Sequence, residues 1–451
     1  MPLWLITLRD RLRASFFFLP MVAVVVGAAC ATALMTVDDS IDHVAQDLPL
    51  VLGSTVDSAR SVLSTIAAAT ISFSGIAFSV SLLVIQLSAS QHSPRVVHTL
   101  FRDPFNKRVM ALVLGTFTYC LVLLRAVRGP LEDSGDAVVP NLSLACAVLL
   151  GVLAILATIA FINHSAHLMD ISVVLERVTD SAVRQVERIR STPSEHGGEL
   201  DTAVRQEHEF AARTTHRIDD AGRTADWDRS GWVQAIDLDR LAGLAPADGA
   251  IVLLTRAGRY AVKGTPFCRV AGKVDDWDRL LGAVRKTAAV GNSRTMQQDL
   301  SYGLRQLSDV ALRALSPSVN DPTTAQDAIF HQAAVLLEIL RRDPPPAVRV
   351  NDDGGRLVLA EEPTDGDYIR TAFAEIRRSA ATNPAVCLYL LEALHLVHSG
   401  LHSAGLGERA SGLEIEARLL LEGALRSIEL ESDREDVQAA HRERFGTAAP
   451  R

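Results

Sequence analysis

Aromatic residues make up only 5% of this sequence, so a cofactor pocket walled by stacked rings has few residues to draw on. Five cysteines occur, with no CxxC pair, which excludes a disulfide framework and a cysteine-based zinc site. Cys30, Cys120 and Cys146 fall inside apolar stretches, where a thiol behaves as a small hydrophobe. Lysine is scarce, with four among 45 basic residues, and the arginines form no basic stripe. Together with a net charge of −8, this argues against a nucleic-acid partner, because phosphate affinity needs clustered cations. A GxSxG elbow, a P-loop, an HExxH helix and a dinucleotide fingerprint are all missing, so the chain does not read as an enzyme and no cofactor is expected.

What the sequence does contain is apolar surface. Hydrophobic residues account for 48% of 451 positions, charged ones for 22%, and mean hydropathy is +0.18, too apolar for an ordinary water-soluble protein of this size. The excess lies in residues 1–163, where charge-free runs cover Ala14–Val37, Ser61–Pro94, Val109–Leu124 and Ala137–Met169. About 20 apolar residues cross a hydrocarbon core of ~30 Å, so the pattern predicts transmembrane helices near 16–36, 64–87, 109–126 and 142–162. The third is short between Arg108 and Arg125, whose long stems can carry their charges out to the headgroups. A cleaved signal peptide is the competing reading of residues 9–36, disfavoured by the length of the run and by the loss of the four-helix charge pattern.

Flanking charge predicts the orientation. Arg9, Arg11 and Arg13 precede the first helix, and Arg95, Arg102, Lys107 and Arg108 separate the second from the third, marking the cytoplasmic side. The opposite loops are acidic, with Asp38, Asp39, Asp42, Asp47 and Asp57 in one and Glu132, Asp133 and Asp136 in the other. Both termini are therefore expected in the cytoplasm, with a multi-pass protein in the plasma membrane.

The second helix is the most informative segment. Ser61–Pro94 is free of formal charge and would span about 50 Å if wholly helical. Its polar residues fall into two nearly opposed rows, Ser72, Ser79 and Gln86 on one side and Ser74, Ser81 and Ser88 on the other. The all-serine row suits close helix packing. Gln86 is too bulky for that, so its row is the candidate lining of a pathway. Pro94 should break the helix, leaving the stretch through His98, Phe101 and Phe105 at the inner interface.

Beyond the bundle, residues 164–230 read as a helical stalk running on from the fourth span to about Arg190, then a linker. Residues 231–275 read as a small β-module, with Gly258, Val262 and Gly264 spaced as in lipoyl and biotin carrier domains, although neither Lys263 nor Lys273 sits where such domains are modified. Residues 276–451 read as mainly helical, with helices near 276–290, 299–315, 321–342, 366–381, 384–403 and 407–431 and a hairpin at 347–360 turning on Asp352-Asp353-Gly354-Gly355. The expected fold is thus a mainly α membrane protein, a four-helix transmembrane bundle with a cytoplasmic α+β domain.

Three polar clusters merit a structural test. Ser316-Pro317-Ser318-Val319-Asn320-Asp321-Pro322 joins two helices, with Asn320 or Asp321 able to cap and Pro322 fit for a first turn; Arg305, Asp309 and Arg313 on the preceding helix offer a second reading, a ligand contact. Glu392, His395, His398 and His402 share a helical face, but only one Glu-x-x-His occurs, so a solvated or inter-helix face is favoured over a metal site. His164, His167 and Asp170 form a smaller set just inside the membrane, read the same way.

Four segments, Ser79–Pro94, Gly231–Asp237, Asp299–Pro322 and Phe161-Ile162-Asn163-His164, taken together resemble the bacterial predicted-membrane-protein family classified as domain of unknown function 2254. The resemblance implies an N-terminal helix bundle and a cytoplasmic domain, and it implies no activity. Serine and glutamine rows without ionisable residues in the span suit passive conduction better than coupled pumping. The sequence therefore points to a homo-oligomeric ion or small-solute channel lined by the second helix; a non-conducting membrane-anchored scaffold or sensor is the alternative.

Overall fold

In hydrocarbon a backbone must bond to itself, and each charge-free run folds as a helix. The computed structural model describes residues 18–41, 55–91, 104–127, 140–167, 170–191 and 222–446. Its four N-terminal helices are α1 (Phe18–Ile41), α2 (Val56–Gln91), α3 (Pro104–Ala126) and α4 (Asn141–His167). Each is longer than the span predicted for it because polar residues join at the ends. The second helix starts at Val56 instead of 64, where the Thr55 hydroxyl accepts from the Ser58 N–H at 3.3 Å, and Pro104 opens α3 from a first-turn position that needs no N–H donor. The arginines before α1, the acidic loop residues 42–54 and 128–139, and the interfacial segment 92–103 lie outside the described residues.

These helices form the first of two units, Met1–Val173. Its interior is held by small residues: a Cβ on Gly27 of α1 would come within 2.5 Å of the Gly115 carbonyl oxygen of α3. Tyr119, Cys120, Leu123, Leu63 and Ala147 belong to one buried apolar cluster, while Val25, Ile76, Leu83, Leu149, Ile155 and Ile162 are exposed. An apolar perimeter of this extent fits a lipid solvent.

The second unit, Val174–Arg451, combines two sheets with a helical layer. After residues 168–169, outside the described set, a separate helix α5 (Ile171–Ile189) begins. It ends beside Arg190, as the expected stalk does, and what the structure changes is the setting of its apolar face. Val174, Leu175, Val178, Ala182 and Val186 are buried, and Thr179 bonds His331 Nδ1 at 2.9 Å, so the apolar stripe packs on the C-terminal helices instead of standing free.

The expected module at 231–275 is also corrected. Strands β1 (Arg223–Asp226), β2 (Gly231–Ile236), β3 (Ala250–Leu253), β4 (Tyr260–Ala261) and β5 (Pro266–Ala271) do not close on themselves. After the short α6 (Leu238–Ala242) and α7 (Trp277–Arg285), β6 (Ala288–Gly291) extends β2, ending the helix expected to reach 290. The hairpin β7 (Val348–Val350) and β8 (Arg356–Leu359) extends β3, giving sheets ordered β1-β5-β3-β8-β7 and β4-β2-β6. The β3–β8 pairing is parallel, with Ile251 opposite Leu357, and about 100 residues intervene. Local periodicity carries no trace of such a partner.

The helical layer comprises α8 (Leu300–Ala314), α9 (Pro322–Arg341), α10 (Asp365–Ala380), α11 (Pro384–Ser403), a 3-10 turn (Gly407–Ala410), α12 (Ser411–Ser427) and α13 (Glu431–Phe445). The single helix expected at 407–431 is therefore a turn plus α12, and α13 is additional. One grammar starts several of them: Asp321, Asn383 and Thr364 each accept a backbone N–H three residues on, and prolines follow the first two. The last carbonyls of α9 are taken by Arg190 and Arg409, which donate to Ile339, Leu340 and Arg342 oxygens. Gln332, fully buried, ties α8 to α10 by donating to Leu304 O, Ser308 Oγ and Ala372 O. Among the described residues, five helices are long and apolar enough to cross a membrane: α1 to α4 and α11.

Candidate functional site

The two polar rows of α2 have different surroundings. Ser74 is buried and its hydroxyl donates to the Thr70 carbonyl at 3.1 Å; Ser81 is half-buried and donates to Ala77 O at 2.8 Å. Thr70 itself is buried and donates one turn back, to Ile66 O at 2.8 Å. Their buried seam is Thr70, Ser74, Ala77, Ser81, a true helical repeat in which the heptad row is only partly contained; Thr70 was legible as the residue four before Ser74. The Ser88 side chain lies outside the described residues.

Ser72, Ser79 and Gln86 are all exposed on the isolated chain. Gly75 lies between the two serines on the same face, with open space where a Cβ would be. Ser79 donates to Gly75 O at 2.9 Å, so its hydroxyl is satisfied within the helix. A glutamine amide has no such local solution and calls for water or a second polar group.

A groove of about 400 Å³ runs between α2, α3 and α4, bordered by Thr65, Phe73, Gly151 and Thr158. The hydroxyls of Thr65 and Thr158 donate to Ser61 O and Ala154 O, leaving its walls effectively apolar. A polar joint instead closes one end of the bundle. Asp38, in the last turn of α1, accepts from the Leu142 and Ser143 N–H groups at 2.9 Å each and from Ser143 Oγ at 2.5 Å, capping α4 from another helix. Tyr119 donates to Ser143 O at 2.9 Å and Arg60 to Val127 O at 3.0 Å. Asp38 was expected in a loop; what draws it into the helix is the set of orphan N–H groups at the start of α4, which no local pattern reveals.

In the C-terminal unit the polar clusters separate. Asp321 accepts from the Thr324 hydroxyl at 2.6 Å and its N–H at 3.1 Å, and these bonds hold its carboxyl below the usual range. Asn320 takes a left-handed conformation, φ 46°, to make the turn. Arg305 is over two helical turns back along α8, paired with Asp309 at 3.0 Å and Glu375 at 2.5 Å, so the motif and the Arg305–Asp309 pair are not brought together. Glu392 is held by Arg444 at 2.5 Å; His395 meets Arg444 O and Ser399, and His398 meets Glu414. His402 turns to His398 O. These side chains tie α11 to α12 and α13, and among the described residues no group of three or more His, Cys, Asp or Glu could hold a metal ion. His164 meets the Phe105 ring in a tilted contact with centroids 4.5 Å apart, and the His167 side chain lies outside the described set.

A bundle of exposed apolar helices joined in one chain to an α+β unit defines an integral membrane protein. The chain belongs to the predicted membrane protein family DUF2254, whose model matches residues 13–395. It is 31% identical over 98% of its length to the uncharacterized proteins Mb1321c of Mycobacterium bovis and Rv1290c of Mycobacterium tuberculosis, covering 83% of each. No solved structure matches it.

Proposed function

We propose that the protein forms a passive pathway for an ion or small solute across the bacterial plasma membrane, as a homo-oligomer in which α2 lines the route. The observation that carries this reading is the contrast on α2: Ser72, Ser79 and Gln86 are exposed while Ser74 is buried. An amide facing lipid alone is costly, and a symmetry axis gives it copies of itself and water. Four spans per subunit cannot enclose a wide aqueous route, which also favours an axis between subunits. In this reading α11 does not span, because Leu390, Leu391, Leu394, Val397 and Leu401 are buried within its own unit and its histidines are used there. Residues 1–163 are then the transmembrane domain, with both termini and the C-terminal unit cytoplasmic.

Liposomes reconstituted with the full chain test the proposal by ion flux under varied voltage, tension and pH. Ser79→Leu or Gln86→Leu should lower flux tenfold or more, an order-of-magnitude figure for a dewetted constriction, with assembly unchanged on size exclusion. Ser81→Leu should disturb folding instead. Silent bilayers under every condition sink the conduction reading and leave the scaffold or sensor; unchanged flux in all three variants means that α2 is not the lining. For orientation, cysteines replacing Asp39 or Asp133 should react with an impermeant thiol reagent in intact cells, and those replacing Arg102 or Ser318 should not.

A further inference from the structure

Buried polar atoms in a folded protein nearly always have a partner. In the C-terminal unit, three that have none belong to side chains lining one cavity of about 240 Å³: Arg190 Nε, Arg349 Nε and Asp299 Oδ1. The cavity lies where the end of α5, the edge of the sheets and the start of α8 and α10 meet, and Arg188 and Arg256 also border it.

Each of the three side chains is fixed by its other atoms. The Arg190 side chain, 2% exposed, donates through Nη1 to Ile339 O and Arg342 O and lies 5.0 Å from the Tyr368 ring centroid. Arg349 pairs through Nη1 with Asp239. Asp299, 1% exposed at its side chain, gives Oδ2 to Arg294 Nε at 3.0 Å and Nη2 at 2.6 Å. It also presses on the β3–β4 turn, where a Cβ on Gly258, φ 86°, would stand 2.1 Å from Oδ2. Burial raises the Asp299 carboxyl above its ordinary range against the opposing pull of Arg294. Of the four lining arginines, Arg190 pairs with Asp365 at 3.6 Å and Arg349 with Asp239, and Asp299 is matched by Arg294, so Arg188 and Arg256 against Glu362 leave the lining with one excess positive charge.

We infer that this cavity is a binding site for a small oxyanion, a phosphate or carboxylate, with a hydroxyl beside it. The oxyanion accepts from Arg188 and Arg256 at the open side of the cavity and from the unpartnered Nε–H groups of Arg190 and Arg349 behind them, guanidinium groups being suited to phosphate and carboxylate geometry. The hydroxyl donates to Asp299 Oδ1. A glycerol-phosphate group has this chemistry, and it reaches the protein either as a free metabolite or as a lipid headgroup. The site is independent of α2 and of conduction.

The test uses the full chain in phosphatidylcholine nanodiscs, with thermal unfolding as readout and no measurement of flux. Glycerol 3-phosphate should raise the midpoint, with an apparent affinity about tenfold tighter than inorganic phosphate, the difference one added hydrogen bond to a carboxylate makes. Arg256→Gln and Arg188→Gln should each weaken it about tenfold while leaving the unliganded midpoint in place, since Arg188 is exposed and Arg256 half-exposed. A rise on exchanging the discs for phosphatidylglycerol, lost in Arg256→Gln, supports the site and assigns the lipid headgroup as source. No shift with either source, or equal shifts in wild type and both variants, overturns the inference; equal response to phosphate and glycerol 3-phosphate overturns the role of Asp299.

Discussion

Helices α2 and α11 are both long and apolar enough to span a membrane, yet they solve their polar residues in opposite ways. On α2 the described hydroxyls of Ser64, Thr65, Thr70, Ser74, Ser79 and Ser81 donate to carbonyls one turn back on the same helix. On α11, Glu392, His395 and His398 reach other helices, Arg444 of α13 and Glu414 of α12. A helix surrounded by hydrocarbon has to satisfy itself, whereas one inside a polar-rimmed protein can spend its side chains on neighbours. Composition alone does not separate them, but residue type does: short hydroxyls fit the first solution and long ionisable groups the second.

The comparison breaks most sharply at Asp38, where, among the described residues, the N-terminal unit does use a carboxylate between helices. Asp38→Ala should destabilise the bundle by about 3 kcal/mol or more, since it strips a charge-accepting partner from two N–H groups and a hydroxyl at the start of α4. Asp38→Asn should recover part of this by keeping one acceptor. The readout is the thermal midpoint of purified protein in detergent. A loss below ~1 kcal/mol would mean that water takes over the cap and that this end of the bundle is as wet as a protein surface.

A smaller effect is expected in the C-terminal unit, where a histidine is buried without a carboxylate to charge it. His441 on α13 has its pKa lowered by burial. With the folded value below the unfolded one, near 6.5, the neutral ring is favoured by folding. Its contribution is full above about pH 7 and is lost as pH falls through the unfolded value toward the folded one, because the unfolded chain binds the proton first. The midpoint of the C-terminal transition should fall between pH 7 and 5, and His441→Gln should flatten that slope. A slope unchanged by the substitution would assign it to other groups.

How much of this could be read in advance differs between the two units for a physical reason. The four apolar N-terminal helices were legible because each carries its own charge-free run; their ends were not, since Thr55 and Asp38 act through caps, one of them between distant segments. In the C-terminal unit, the helix with the local start signal Asp321-Pro322 stood out, and so did the Asp352–Gly355 hairpin. The sheet did not, because β3 finds its parallel partner β8 about 100 residues away, and short strands carry too little periodicity to announce it. The same limit hid the cavity. Arg190, Arg256, Asp299 and Arg349 are scattered along the chain, and only the fold gathers them.

The smallest predicted effect addresses the polar motif that looked most like a site in the sequence. Asn320 adopts φ 46°, a left-handed conformation that costs an ordinary side chain roughly 1–2 kcal/mol but asparagine and glycine less. Its role is thus backbone, with Asp321 taking the cap and Ala314 O receiving the Asp321 N–H at 2.9 Å to close the turn. Asn320→Gly should leave stability within about 0.5 kcal/mol and leave any flux unchanged, whereas Asn320→Ala should cost about 1 kcal/mol. Denaturant midpoints of the two variants check this ordering. If Asn320→Gly instead changes flux at unaltered stability, the amide itself contacts something, and the turn regains the functional reading that its capping geometry takes away.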